Sequence, residues 1–287
     1  MKKLIERLLV FFIGVPLVIL LVLYLPFKNN LALNLAVIFF SAAGAFEFSA
    51  MLEKKIIKIS RAESLLLGAS APLAATLYIN FGLQAWIIPV IVTACFLWAL
   101  ISGIFSRLCG IETILNKIVS RFSLLIYPGF FMCALVFMGS WKNPAAVLLF
   151  LFITFANDSI AWLSGTLFGA NNRGIIAVSP NKSIAGFIGG LTGSVLVAAC
   201  AVILFPKILP FSPVTPLSGM LFIAVIISLC TGIAASLGDL AESAIKRSCE
   251  FKDSGNLMLG RGGVLDSIDS IAVAAPVFFL LYSLFFT

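Results

Sequence analysis

The chain has 287 residues, of which 61% are hydrophobic and only 11% charged, and its mean hydropathy is +1.15, which excludes an ordinary water-soluble globule. It contains no histidine. That excludes imidazole bases, phosphohistidine chemistry and histidine-ligated zinc, and leaves carboxylates, lysines, hydroxyls and oxygen-bound cations.

Segments between polar breaks approach the ~20 apolar residues that cross a hydrocarbon core, so the composition predicts an all-α, polytopic integral membrane protein with about nine transmembrane helices. In chain order the spans are expected at residues 7–27, 31–51, 63–80, 84–105, 121–139, 146–168, 184–205, 217–238 and 267–286. Breaks are marked by "LPFKNN", "GSWKNP" and "FPKILPFSPVTP", rich in the residues that end helices. The first run lacks a small-residue cleavage site and leads into further spans, so it is expected to stay as an anchor. Six cysteines (Cys95, Cys109, Cys133, Cys200, Cys230, Cys249) are scattered without a C-x-x-C pair and are expected to be reduced packing residues.

Charge orients these spans. The net charge of +7 could suit nucleic acid, but 16 of the 19 basic residues fall in alternate loops, and Lys28, Lys142 and Lys207 stand one to a loop on the other face. The positive-inside rule then puts the amino terminus in the cytoplasm of a multi-pass inner-membrane protein, with no nucleic acid as partner. Residues 1–140 read as a transmembrane scaffold of about five helices and 141–287 as a catalytic transmembrane domain of about four. The unusual polar residues concentrate in the second part, above all at 243–270.

In "GDLAESAIKR", residues 238–247, Asp239, Glu242, Ser243 and Lys246 recur at i, i+3, i+4 and i+7 and form one polar stripe on a helix. The stripe is either a solvated helix end or a site; Asp239 at a membrane boundary favours a partner or a function. In "LGRGGVLDSIDS", residues 259–270, three glycines permit backbone amides to converge on an anion at a helix start. Asp266 and Asp269 share a face of that helix, for capping or for holding Mg²⁺ that carries phosphates. A third cluster spans "FANDSIAW", "GTLFGANNRG" and "SPNKSIAGFIGG". There Asp158 lies in an apolar run and requires a partner, and Lys182 sits in a Ser-Pro-Asn-Lys-Ser turn suited to a phosphate at the membrane surface. Gly186, Gly189 and Gly190 are expected to serve close helix packing. Glu47 is a further intramembrane acid whose partner is not readable, and "EKKIIKISR" at 53–61 reads as a solvated loop that attracts anionic lipid.

Ser243, Lys246, Arg247, Lys252, Asp253, Gly255, Gly262, Gly263, Asp266 and Asp269 fall at the spacings of a known signature. It is that of the phosphatidate cytidylyltransferases, also called CDP-diacylglycerol synthases: S-x-hydrophobic-K-R, K-D-x-small, a P-G-H-G-G element and D-R-hydrophobic-D. "GDLAES" and "SPNKSIAGFIGG" resemble the family's upstream elements, and Asp158 takes the place of an acid in its W-x-x-D-like helix, so specific motifs cover residues 155–275. Residues 1–150 are similar only in hydropathy and in a loose G-x-x-E around Glu47. The chain departs from the pattern with Leu259, Arg261 and Ser267 in place of proline, histidine and arginine, and Arg261 is expected to supply the charge of the missing arginine.

The resemblance implies transfer of a cytidylyl group from CTP to phosphatidate, with the active site at the cytoplasmic face and membrane lipid as surroundings. It implies Mg²⁺, either two ions or one with a monovalent partner, on Asp239 and Asp266, with Asp269 third. It further implies that Lys246, Arg247, Lys252 and Arg261 hold CTP phosphates with the amides of Gly262 and Gly263, near Ser243 and Asp253. Ser179 and Lys182 would take the phosphatidate headgroup, with Asp158 orienting a cation, and the family suggests a homodimer. Two alternatives remain at this point. A CDP-alcohol phosphotransferase would need a D-G-x-x-A-R motif that the chain lacks, and a transporter would use the intramembrane acids without one-sided polar clustering.

Overall fold

A computed structural model describes residues 12–25, 27–56, 58–104, 113–174, 176–258 and 262–286. Among these no strand occurs, and the chain runs as α1 (Phe12–Tyr24), α2 (Phe27–Lys55), α3 (Arg61–Phe81), α4 (Ile87–Ile104), α5 (Ile114–Gly139), α6 (Ala145–Phe168), α7 (Ile184–Leu204), α8 (Leu217–Ser248) and α9 (Leu265–Phe286). Seven of the described helices, α2, α3 and α5–α9, are long and apolar enough to cross a membrane; the apolar stretches Phe12–Tyr24 and Ile87–Ser102 are shorter. This is an all-helical, polytopic membrane protein. The chain divides into two compact units, one taking the described residues up to Ser140 with Ser248–Ile268, the other Trp141–Arg247 with those from Asp269 onward.

In the first unit, α2 opens on a left-handed turn at Lys28, Asn29 and Asn30 (φ 45°, 52° and 57°), a conformation that asparagine tolerates better than most residues. Side-chain amides secure it: Asn29 donates to Ile79 O at 3.0 Å, Asn30 to Gly139 O at 2.8 Å, and Asn80 to Lys28 O. α3 starts on a capping Ser60, whose hydroxyl accepts from Glu63 N at 3.2 Å, the Ser-x-x-Glu pattern of a helix start. It ends at Gly82, with φ 68°, a left-handed stop that glycine makes without strain. α2 and α3 approach at Gly68, where a Cβ would stand 2.4 Å from Ala45 Cβ. Ser41 Oγ donates there to Gly68 O at 2.7 Å and also lies against Pro128 O. Pro128 interrupts α5 within a π-helical stretch, Leu125–Phe130, as a residue without an N–H does.

α5 and α8 extend through charged residues beyond the expected spans, for one reason. α5 begins seven residues before Arg121 because that guanidinium has a buried partner. Arg121 Nε donates to Glu63 Oε1 at 2.6 Å and Nη2 to Oε2 at 3.4 Å, while Trp98 Nε1 donates to Oε1 at 3.0 Å. The side chains of the pair are only 11% and 14% exposed. α8 likewise runs past residue 238 to Ser248, because its polar stripe is partnered. Just beyond it, Glu250 (φ 60°) accepts ion pairs from Lys55 at 2.9 Å and Lys54 at 3.6 Å.

In the second unit, α6 and α7 pack through glycines, as the sequence led one to expect: a Cβ at Gly186 would stand 2.9 Å from Ala161 O and one at Gly190 2.8 Å from Asn157 Oδ1, and Gly193, not foreseen, comes as close, 2.6 Å from Ile160 Cδ1. With little hydrophobic force between helices in lipid, such close approach supplies the packing. Asn157 Nδ2 donates to Ser236 Oγ at 3.0 Å, and Ser194 Oγ donates to Ile153 O at 3.3 Å, which stitches α6, α7 and α8 together. Trp141 stacks on Tyr282 with ring centroids 3.7 Å apart, and Phe150 meets Phe278 at 5.3 Å. The five described cysteines are free; Cys109 lies outside the described residues.

Arg121→Leu strands a half-buried Glu63 and is expected to cost about 1–3 kcal/mol of unfolding free energy. The double variant Glu63→Leu with Arg121→Leu should recover most of that loss in denaturant unfolding of the micelle-solubilised protein. The Lys55 hydrogen bond and charge, with the Lys54 charge, hold the Glu250 carboxyl below its ordinary 4.5. A depressed folded value means that Glu250 stabilises above the unfolded value and loses that effect as pH falls through the folded one. The stability difference between wild type and Glu250→Gln is therefore expected to be present at neutral pH, to vanish in acid below 4.5, and to shrink with added salt.

Candidate active site

The second unit brings most of the predicted acids and two predicted cations together. The segment before α7 turns at Ser179, whose carbonyl accepts from Lys182 N at 3.0 Å, while Ser179 N donates to Ile176 O at 3.0 Å. Ser183 then caps α7 by accepting from Gly186 N at 3.0 Å. This places the Lys182 ammonium 2.7 Å from Asp239 Oδ2 on α8, with side-chain exposures of 28% and 39%. On the same face of α8, Ser243 Oγ donates to Asp239 Oδ1 at 3.5 Å, and Lys246 pairs one turn on with the fully buried Glu242. Asp158 on α6 accepts from Ser270 Oγ at 3.4 Å, the partner its apolar surroundings demand. Asp269, buried, is exposed to the charges of Asp239, Glu242 and Asp158. Arg247 is exposed in the last turn of α8.

Four carboxylates thus share a region in which the ion pairs involve Lys182 and Lys246. Among the described residues no group of three or more acids or cysteines could hold a metal ion unaided. Mg²⁺ asks for less, because it takes one or two carboxylates and completes its shell with water and substrate phosphates. Hard oxygen donors whose negative charge exceeds that of the two paired lysines fit such an ion, and they would fit a phosphate-bearing one in particular.

The first unit holds the glycine turn. Met258 and Gly262 exchange backbone hydrogen bonds at 2.9 and 3.2 Å, and Gly262 adopts φ 98°, which strains any side chain. Asp266 Oδ2 accepts from Gly263 N at 2.7 Å, Ser254 N at 2.9 Å and Ser254 Oγ at 3.0 Å. Glu47 Oε2, on α2, accepts from Leu265 N at 2.9 Å and Ser254 Oγ at 3.0 Å. A Cβ at Gly263 would stand 2.0 Å from Ser254 Oγ and 2.3 Å from Glu47 Oε2, so only glycine fits. The convergent amides foreseen in the sequence do meet an anion, but it is the chain's own. Gly263 N is bound to Asp266 and Gly262 N to Met258 O, rather than turned toward a substrate phosphate. Lys252 and Asp253 are exposed beside this turn, and Arg261 lies outside the described residues.

Two members of this turn escaped the motif. Ser254 binds both carboxylates, and its one sequence signal is a small hydroxyl residue between Asp253 and Gly255, a common turn former. Glu47 stood out as an intramembrane acid, yet its partners lie 207 and 218 residues away, beyond any local pattern. In the second unit, Asn157, Ser236 and Ser270 were missed because a polar side chain within an apolar helix names no partner.

Similarity to known proteins is concentrated in part of the chain. It is 36% identical over 133 residues to "Uncharacterized protein YnbB" of Escherichia coli strain K12, covering 46% of this chain and 41% of that one. It is 33% identical over 169 residues to a Thermotoga maritima protein named phosphatidate cytidylyltransferase, covering 58% and 60%. It is 40% identical over 138 residues to a Haemophilus influenzae protein of the same name, covering 47% and 45%. The chain therefore spans about half the length of the curated relatives it matches. The family described as "Cytidylyltransferase family", in contrast, matches from residue 5 to residue 285. With that match along nearly its whole length, the chain belongs to the cytidylyltransferase family.

Proposed function

We propose that this protein transfers the cytidylyl group of CTP to phosphatidate, forming CDP-diacylglycerol and pyrophosphate at the cytoplasmic face of the inner membrane. The observation that carries this reading is the ion pair between Lys182 of the Ser-Pro-Asn-Lys-Ser turn and Asp239 of α8. It joins two elements far apart in sequence into one charged cluster of the kind two anionic substrates require. Family membership and the names of the Thermotoga and Haemophilus relatives support the same reading over a transporter or a CDP-alcohol phosphotransferase. The positive-inside distribution of basic residues supports nine spans with a cytoplasmic amino terminus.

In the proposed reaction a phosphate oxygen of phosphatidate attacks the α-phosphorus of CTP, and the bond from that phosphorus to the bridging α–β oxygen breaks to release pyrophosphate. The second phosphate pKa is about 6, so the nucleophile is already ionised near neutral pH and needs no general base. Catalysis then consists of positioning and charge neutralisation. Lys182 and Ser179 bind the phosphatidate headgroup, with Asp158 and Asp239 orienting the ammonium. Lys246, Arg247, Lys252 and Arg261 bind the CTP phosphates, with Ser243 and Asp253 beside them and Gly262 and Gly263 shaping the turn. The carboxylates assigned to Mg²⁺ are Asp239, Asp266 and Asp269. When bound, Mg²⁺ neutralises phosphate charge and stabilises the leaving pyrophosphate.

Micelle-solubilised protein given CTP, phosphatidate and Mg²⁺ is expected to release pyrophosphate, and to release none when phosphatidate is omitted. Asp239→Ala and Asp266→Ala should lower the rate at least about a thousandfold in folded protein, with Asp253→Ala milder, and Lys182→Met should raise KM for phosphatidate about tenfold. Wild-type activity in either aspartate variant would remove the metal assignment. Absence of pyrophosphate release from wild type would remove the reaction.

A further inference from the structure

We propose that Glu47 of α2 is a positioning residue for nucleotide binding, acting through the turn that carries Lys252, Asp253 and Asp266; this rests on the cytidylyl-transfer reading above. Glu47 is 3% exposed, and its Oε2 is bound to Leu265 N at 2.9 Å and to Ser254 Oγ at 3.0 Å. It therefore binds Ser254 and Leu265, which flank Gly255 and Gly263, with one oxygen. Ser254 Oγ also stands 3.0 Å from Asp266 Oδ2 and accepts from Asp266 N at 3.2 Å.

A serine hydroxyl carries a single hydrogen, so its donation is shared between the two carboxylates. Releasing Glu47 lets that donation settle wholly on Asp266 and frees Leu265 N, which reshapes the turn around the aspartate.

The second oxygen argues that the carboxylate is kept for this hold. Glu47 Oε1 is buried without a hydrogen-bond partner, a cost to stability that an apolar side chain would avoid. It also occupies the space over the turn: a Cβ at Gly255 would stand 2.3 Å from Oε1 and one at Gly263 2.3 Å from Oε2. Glu47 and the two glycines are thus mutually fitted. A residue at position 47 that lost the acceptor would leave Ser254 and Leu265 without it and leave a void beneath the glycines.

Three variants test the proposal by steady-state kinetics in micelles and by hydrogen exchange of the 254–265 amides. Glu47→Ala is expected to speed exchange of those amides and to raise KM for CTP about tenfold, with KM for phosphatidate within about twofold of wild type. Glu47→Gln keeps an acceptor oxygen and should restore both readouts to within about threefold. Ser254→Ala should share the rise in KM for CTP, and it serves with Glu47→Gln if Glu47→Ala does not fold. The proposal is overturned by unchanged exchange and KM in Glu47→Ala and Ser254→Ala, by an equal rise in both KM values, or by a Gln variant as impaired as Ala. A wild-type protein that releases no pyrophosphate sinks the cytidylyl-transfer reading alone, because the exchange measurement still decides whether Glu47 holds the turn.

Discussion

A carboxylate inside an apolar helical protein must be matched by a cation or by hydrogen-bond donors, because lipid and packed side chains give it no solvation. That constraint organises both units of this protein. Glu63 is met by Arg121 and Trp98, Glu242 by Lys246, Asp239 by Lys182 and Asp158 by a serine hydroxyl. Glu47 and Asp266 are met mainly by backbone amides and Ser254. Helix lengths follow from the same requirement: α5 and α8 extend through charged residues because those charges find partners.

The two kinds of matching have different consequences. In the glycine turn amides and a hydroxyl fix Glu47 and Asp266 in place, and the glycines at 255, 262 and 263 exist to let the backbone come that close. Such an arrangement is rigid and leaves little capacity for a new ligand on the bonded oxygens. In the second unit Asp239 and Glu242 are matched by lysines, whose flexible stems and point charges can exchange one anionic partner for another. On the proposed reaction, an incoming phosphate competes with Asp239 for Lys182, which frees the carboxylate for a cation as the lysine is taken up. On that reading, the ion pair describes the resting form of a site built to trade partners.

Most of the helical plan was legible because apolar length and terminal residues are local properties. The span expected at 63–80 corresponds to α3, and the spacing of Asp239, Glu242, Ser243 and Lys246 announced one face of α8. Gly186, Gly189 and Gly190 were readable as packing residues because they sit in an apolar helix with no turn to make. What hydropathy misjudged was the start of α5 at Arg121, since a window sum counts a charge as a break whether or not it is paired; past Asp239 the polar spacing, not the hydropathy, carried the helix on. The Glu47 partnership was illegible because hydrogen bonds over more than 200 residues are set by the packing of helices and leave no periodic trace. The fate of the amides in the glycine turn was half legible: the residues predicted an anion, and only the fold shows that Asp266 supplies it.

That last point bears on why basic residues crowd the segment from Lys246 to Arg261. A glycine nest at a helix start is a general device for binding phosphate, and a chain that used it so would need few cations nearby. Here the nest is occupied by the protein's own carboxylate, so its amides contribute to holding Asp266 in place instead of binding substrate. On the proposed reaction, phosphate charge is then met by side chains, which accounts for Lys246, Arg247, Lys252 and Arg261 within one short stretch of a chain that is otherwise poor in charge. The absence of histidine fits the same economy, because a phosphate monoester brings its own ionised nucleophile. The proposed reaction asks the protein for no proton carrier; it asks for fixed carboxylates and movable cations, and the helices of the described residues hold both.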